Sequence, residues 1–295
     1  MNTSLRDSLL IGTAELETSL GAPDLRVFDT TVHLGPRPGG GLLVESGRAQ
    51  YDAGHIPGAG FMDLLDALSD PDHALRFMMP DEARFSAAMS ALGVAPGTRV
   101  VLYNSGPTWW ATRAFLMLRE FGFDAVRVLD GGLDKWRAEG RPLDTEPFAH
   151  GPAPFSPGVR RPVFVGRDEV LAAVQTGSAH LVHALSPELF SGRVRTAARP
   201  GRILNSVNLP ALELLEPVTQ VFRPDAALRE SLAARGLLDG RPVISYCGGG
   251  ISATTDAFAL LLLGHPAAQV YDGSLNEWAA DPALPMTCDA QSSGA

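Results

Sequence analysis

The chain has 295 residues, 45% hydrophobic and 19% charged, which is the profile of a folded globular protein and leaves room for two domains with their own cores. A formal net charge of −9, with no run of Lys or Arg, excludes the electrostatic footprint expected for nucleic acid or an acidic membrane surface. The start, Met1 to Asp7, lacks the basic head and apolar core of a signal peptide, and no apolar stretch reaches membrane-spanning length. Two cysteines are too few for a disulfide framework, so a reducing cytoplasm is the expected setting.

In chain order, apolar runs at 25–28, 99–103 and 126–129 predict buried strands, and amphipathic stretches at 82–92, 110–121 and 133–139 predict helices. The stretch 147–161 is rich in Pro and Gly and has no period; it is expected to link an N-terminal domain, 1–146, to a C-terminal one, 162–295. Beyond it, strands are predicted at 181–184, 243–246 and 269–271, and helices at 167–175, 225–234 and 254–263. The polar tail 290–295 is expected to be disordered. Alternation of this kind predicts an α/β fold in each half, a mainly parallel sheet with helices on both faces.

The halves repeat each other. Val128-Leu129-Asp130-Gly131-Gly132-Leu133-Asp134-Lys135-Trp136 returns 142 residues later as Val270-Tyr271-Asp272-Gly273-Ser274-Leu275-Asn276-Glu277-Trp278. Arg99 to Tyr103 matches Pro242 to Tyr246, and Gly54 to Ala59 matches Gly201 to Ser206 more loosely. Leu25 to Asp29 against Ala179 to His183 is a weaker fourth match. The chain is a duplication.

Cys247 closes the run Val243-Ile244-Ser245-Tyr246 and opens Cys247-Gly248-Gly249-Gly250-Ile251-Ser252-Ala253, ahead of a predicted helix. A lone Cys after a strand is ordinarily a small buried hydrophobe. Three glycines and a helix start change that reading. They allow backbone N–H groups and the helix dipole to converge on the sulfur, and such a cradle draws a thiol pKa down from about 8.5. Ligands of open α/β sheets also bind beyond the carboxyl ends of strands, where Cys247 falls.

These residues, together with Tyr51-Asp52-Ala53-Gly54-His55-Ile56-Pro57-Gly58-Ala59 and the two Asp-Gly-x…Trp signatures, resemble the two-domain rhodanese-type sulfurtransferases over nearly the whole chain. The resemblance implies tandem rhodanese-like domains. It implies that Cys247 is the nucleophile, with Gly248, Gly249, Gly250, Ile251, Ser252 and Ala253 as its loop. It also implies a persulfide intermediate and no metal or organic cofactor. A small anionic donor, thiosulfate or 3-mercaptopyruvate, would supply sulfur to a thiol or cyanide acceptor, including a thioredoxin-like protein. The first half carries Asn104 in place of the thiol, with Trp109 and Trp110 expected in the core, so it is expected to be a structural partner that walls the cleft.

Several positions depart from the family pattern. The neutral loop is nearer the mercaptopyruvate type, but Gly249 stands where a relay Ser is expected. Phe77 replaces the relay His, and Asp63 alone matches the relay Asp. In the second half His183 replaces an Asp, and Leu189 lies near an expected Arg. Arg195 is the leading anion-binding residue, with Arg193, Arg199 and Arg202 as competitors; the four either gather an anionic donor or form a solvated loop. The donor stays open. Two other readings remain: a sulfur carrier or regulatory module without turnover, and a cysteine phosphatase, which the missing loop Arg opposes. The His and Cys spacing supports neither a Ser hydrolase nor a zinc site, and Cys288 is at most a resolving thiol.

Overall fold

A computed structural model describes residues 4–36 and 42–289; the tail 290–295 lies outside the described residues. The chain divides into two compact units. The first comprises Met1–Asp72, Met79–Arg161 and Pro217–Val221, the second His73–Met78, Pro162–Glu216 and Phe222–Ala295.

The first unit is built on five strands: β1 (Leu10–Ile11), β2 (Leu25–Asp29), β3 (Ala59–Phe61), β4 (Arg99–Tyr103) and β5 (Val126–Leu129). They pair in parallel in the order β1-β5-β4-β2-β3. The second unit has β6 (Phe164–Val165), β7 (His180–His183), β8 (Val207–Asn208), β9 (Val243–Tyr246) and β10 (Ala268–Tyr271), in parallel order β6-β10-β9-β7-β8. Strand for strand, the two orders are identical. The central strands β4 and β9 are apolar along nearly their whole length because a parallel sheet covered on both faces gives them no solvent side. The edge strands β1, β3, β6 and β8 hold two or three residues each, too few to show a period, and sequence patterning did not find them. It also missed an antiparallel hairpin, Val32–Pro36 with Leu42–Ser46.

The duplication extends to single hydrogen bonds. The Tyr103 hydroxyl accepts from the Ile56 N–H at 3.2 Å, and Tyr246 accepts from Ile203 at 3.0 Å. Trp136 Nε1 donates to the Pro142 carbonyl at 2.8 Å, and Trp278 Nε1 to Pro285 at 3.1 Å. Each pair lies in or beside its own core: Val27, Val101, Tyr103, Leu133 and Trp136 in the first unit, Leu181, Ile244, Tyr246, Leu275 and Trp278 in the second. Among the described residues, no helix is long and apolar enough to cross a membrane.

The Pro/Gly-rich stretch 147–161 is fastened along the first unit. The N–H groups of Ala153, Gly158 and Arg161 donate to the carbonyls of Ser90, Phe121 and Glu120. Phe155 is buried beside Phe85, and Arg161 pairs with Asp124. At Gly122 (φ 75°), just past the helix Trp109–Glu120, a Cβ would lie 2.6 Å from the Gly158 backbone. Gly122→Ala is therefore expected to cost roughly 2–4 kcal/mol in denaturant unfolding, from the left-handed backbone and the clash together.

Candidate active site

Cys247 directly follows β9, the middle strand of the second sheet. Its residue is 2% exposed, and its Sγ accepts the Ile251 N–H at 3.1 Å. The thiol faces the loop amide that precedes the helix Ala253–Leu262, whose N-cap is Ser252. Thr254 N–H and its hydroxyl both donate to the Ile251 carbonyl, at 2.9 and 2.6 Å, so the turn into the helix is held closed. The sulfur thus sits at the positive end of the helix dipole.

Of the three loop glycines, Gly250 alone takes a left-handed backbone, φ 73°. At Gly248 a Cβ would meet nothing within 4 Å, and at Gly249 it would lie 3.0 Å from the Asn276 amide nitrogen. One glycine therefore serves geometry, and Gly248 leaves free space beside the cysteine.

The loop is tied from below by the second domain signature. Leu275 N–H donates to the Cys247 carbonyl at 3.0 Å and Asn276 N–H to that of Gly248 at 2.8 Å. Ser274 Oγ accepts the Cys247 N–H at 3.1 Å while donating to the Tyr271 carbonyl at 2.7 Å. Ser274 is wholly buried with φ 48°, a backbone region that non-glycine residues seldom occupy. Sequence reasoning did not single it out, although the signature itself held the signal, a Ser where the first half has Gly132 (φ 57°).

The matching loop of the first unit is satisfied internally. Asn104 follows β4, and its carbonyl accepts from Leu133 N–H at 3.0 Å, just as Cys247 accepts from Leu275. Its side-chain Oδ1 takes the Ala111 N–H at 3.0 Å, and Nδ2 donates to the carbonyls of Ser105 and Pro107 at 2.7 and 2.9 Å. Asp134 closes the loop from Ser105 Oγ and Gly106 N–H. Trp110 is buried, and Trp109 is partly exposed. Asp63, also in the first unit, is half-buried and accepts the Leu65 N–H at 2.8 Å. Phe77, at the position where the resemblance implies a relay His, belongs to the second unit and has φ 65°.

His183 ends β7, in register with Tyr246, as Asp29 is with Tyr103 in the first half. Asp29 Oδ1 accepts the Thr31 N–H at 2.9 Å, and His183 Nδ1 accepts the Leu185 N–H at 3.3 Å. The imidazole has taken over the turn-capping bond of a carboxylate. As an acceptor Nδ1 carries no proton, so the ring is neutral in its Nε2–H form. Burial pushes its pKa down from 6.5 to about 4.

The four arginines separate clearly. Arg199 donates to the carbonyls of Trp278, Ala279, Asp281 and Leu284, closing the end of the helix Ser274–Trp278. Arg202 pairs with Asp289 at 2.7 Å and stacks on Phe190, and Arg193 lies 3.5 Å from Glu188. Among the described residues Arg195 has no hydrogen-bond or ion-pair partner, and it is exposed. It shares a depression of about 10 Å³ with Leu275, the residue that holds the Cys247 carbonyl. Cys288 is exposed and reduced.

Arg199→Ala should cost about 2–4 kcal/mol in denaturant unfolding, because it strips four carbonyls of a charged donor, whereas Arg195→Ala should stay within about 0.5 kcal/mol. His183 gives a pH signature. The unfolded chain takes up its proton near 6.5 and the folded chain only near 4, so stability drains as pH falls through that window. His183→Asn is expected to flatten that loss, on the order of 3 kcal/mol, in melts taken across pH.

The family profile described as the rhodanese-like domain matches this chain twice, over residues 15–139 and 167–281. Thiosulfate/3-mercaptopyruvate sulfurtransferase 2 of Arabidopsis thaliana is 30% identical, covering 92% of this chain and 84% of that protein. The 3-mercaptopyruvate sulfurtransferase of Escherichia coli K12 is 32% identical over 80% and 84%, and the thiosulfate sulfurtransferase of Rattus norvegicus 31% over 87% and 85%. Among solved structures, the E. coli 3-mercaptopyruvate enzyme superposes with a TM-score of 0.79 at 28% identity, covering 90% of this chain and 98% of that one. An anaerobic ergothioneine biosynthesis enzyme from Chlorobium limicola, solved with trimethyl histidine, superposes at 0.79 and 25% identity, covering 96% and 71%. With two matched copies, one shared strand order and relatives aligned over most of its length, the chain belongs to the rhodanese-like domain family, in the tandem form of its sulfurtransferase relatives.

Proposed function

We propose that this tandem rhodanese-like chain moves a sulfane sulfur through a persulfide on Cys247. The observation that carries this reading is the Ile251 N–H directed at Sγ over a helix N-terminus, an arrangement that favours an anionic sulfur. The second half, 162–295, would carry the chemistry, and the first half, 1–146, with the strap 147–161, would serve as its structural partner.

The Cys247 thiolate attacks the donor's outer sulfur. With thiosulfate, an S–S bond forms as the donor's S–S bond breaks, and sulfite leaves with the electron pair. With 3-mercaptopyruvate, the C–S bond breaks, and the thiol proton ends on the methyl group of pyruvate. Either way the site holds one negative charge on sulfur before and after, so the loop amides and helix dipole need not rearrange. An acceptor thiolate then takes the outer sulfur and returns Cys247 to its anionic form.

The loop offers no cation next to the sulfur, and Gly248 leaves open space where one would fit. That supports a donor carrying less charge at its sulfur, 3-mercaptopyruvate before thiosulfate. Arg195, with no partner among the described residues, is the residue to grip the donor's carboxylate.

A donor panel followed by intact mass tests the reading. Cys247→Ser should abolish both sulfur transfer and the mass gain of one sulfur, and retained transfer would remove Cys247 from the mechanism. Arg195→Ala should raise KM for anionic donors by about tenfold with little change in kcat. Gly248→Lys should shift preference toward thiosulfate by roughly tenfold. Persulfide mass without turnover of any donor would select the carrier reading, to which a residue only 2% exposed also lends itself. Hydrolysis of p-nitrophenyl phosphate without sulfur transfer would instead select a phosphatase.

A further inference from the structure

The first sheet has a cavity at the end opposite the Asn104 loop, and the proposed chemistry does not use it. β2 begins two residues before its pairing with β3, which starts at Val27 against Ala59. Leu25 and Arg26 therefore have no strand beside them on that side, and a notch opens between them and the turn 57–58. The turn 20–23 and two residues of the strap, Phe148 and His150, close it into a cavity of about 270 Å³. Gly21, Pro23 and Phe148 are exposed at its rim, and all of its lining belongs to the first unit.

The walls differ in character. Alternation along β2 turns Leu25 and Val27 into the core and Arg26 to the other face, so the cavity has an apolar side and a basic one. None of the described lining residues is acidic. Arg26 Nε donates to the Gly93 carbonyl at 2.9 Å, and Nη1 donates to those of Pro23 and Leu25 at 2.8 and 3.0 Å, which fixes the guanidinium. Among the described residues Nη2 has no hydrogen bond and the charge has no carboxylate partner. The neighbouring Asp24 is taken by a two-pronged pair with Arg99, at 2.6 and 3.0 Å. In the second half the aligned position is His180, where Asp239 lies 3.0 Å from Nε2.

His150 supplies a second unmet group. Its ring stands edge-on to those of Phe148 and Phe28, at 4.8 and 5.9 Å, and its buried Nε2 has no hydrogen-bond partner among the described residues. Burial, followed by the charge of Arg26, draws its pKa down from 6.5 to about 4, so at neutral pH the uncharged ring has one N–H to donate. Buried polar nitrogens without partners are few in native proteins and demand a reason.

We propose that this cavity binds a small aromatic monocarboxylate, its ring against the Leu25 side and its carboxylate at Arg26 and His150. A dry apolar cavity of about 150 Å³ takes a benzene ring, so 270 Å³ admits such a ring with a short carboxylate arm and little more. A fixed guanidinium and an imidazole N–H favour a carboxylate over a neutral head group, and Phe148 adds an aromatic wall. The site lies in the first unit, whereas Cys247 belongs to the second, so the inference does not depend on sulfur transfer.

Phenylacetate is the probe, titrated into the isotope-labelled full chain and followed by amide chemical shifts, with phenethyl alcohol and acetate as the neutral and ringless controls. Phenylacetate should bind with a Kd of about 1 mM or tighter, and each control roughly tenfold more weakly. The amides that move should be those at 20–27, 58 and 148–151. No saturable shift by about 10 mM, shifts confined to other residues such as 247–253, or equal affinity for either control overturns the proposal. His150→Phe keeps an aromatic ring and removes both nitrogens. It should weaken phenylacetate about tenfold and leave phenethyl alcohol within about twofold. No loss, or an equal loss for both, overturns the proposal as well. The shift map of the unaltered protein decides the matter even where that variant fails to fold.

Discussion

The architecture of the second half converges on one contact, the Ile251 amide proton directed at the Cys247 sulfur. A central strand buried on both faces delivers the cysteine to its carboxyl end, and a helix starts six residues later with its dipole aimed back. The loop between them is too short to hold this shape by itself. It depends on Gly250 turning left-handed, on Thr254 capping the Ile251 carbonyl, and on the β10 signature pinning the carbonyls of Cys247 and Gly248 from below. These constraints act on backbone groups, so the site tolerates side-chain change while keeping its form.

The comparison between halves shows what that tolerance permits. Both keep the strand order, the Tyr-to-Ile and Trp-to-Pro hydrogen bonds, and the amide that holds the carbonyl after the central strand. They differ in what fills the loop. In one it is an amide side chain that satisfies its surroundings, and in the other a sulfur. The same economy appears at the end of the neighbouring strand, where Asp29 and His183 cap equivalent turns with different side chains. A carboxylate there would add negative charge near the sulfur's strand; a neutral imidazole adds none.

Much of this was legible in the sequence. Cys247 after an apolar run, the glycines and the repeated Asp-Gly-x…Trp segment located the loop, and the long central strands and most helices followed from periodicity. Edge strands of two or three residues were not legible, because a period needs length to be seen. The arginine run could not be sorted by spacing. Arg199 serves carbonyls more than seventy positions away and Arg195 serves none among the described residues, a difference that exists only after folding. Ser274 and His150 stayed hidden for a related reason. Each looks ordinary in sequence, and each gains its meaning from burial and from an unusual backbone angle or a missing partner.

The self-filled loop around Asn104 bears on how such duplicated proteins diverge. A thiol placed at that position would find the Asp134 clasp intact across Ser105 and Gly106, with Gly106 (φ 77°) three residues ahead of its helix as Gly250 is in the second half. The two loops therefore differ in the side chains and clasps that fill them more than in the backbone turn that carries them. Exchanging Asn104 alone would leave that clasp in place, so the first loop would keep its own hydrogen bonds around whatever side chain stood there.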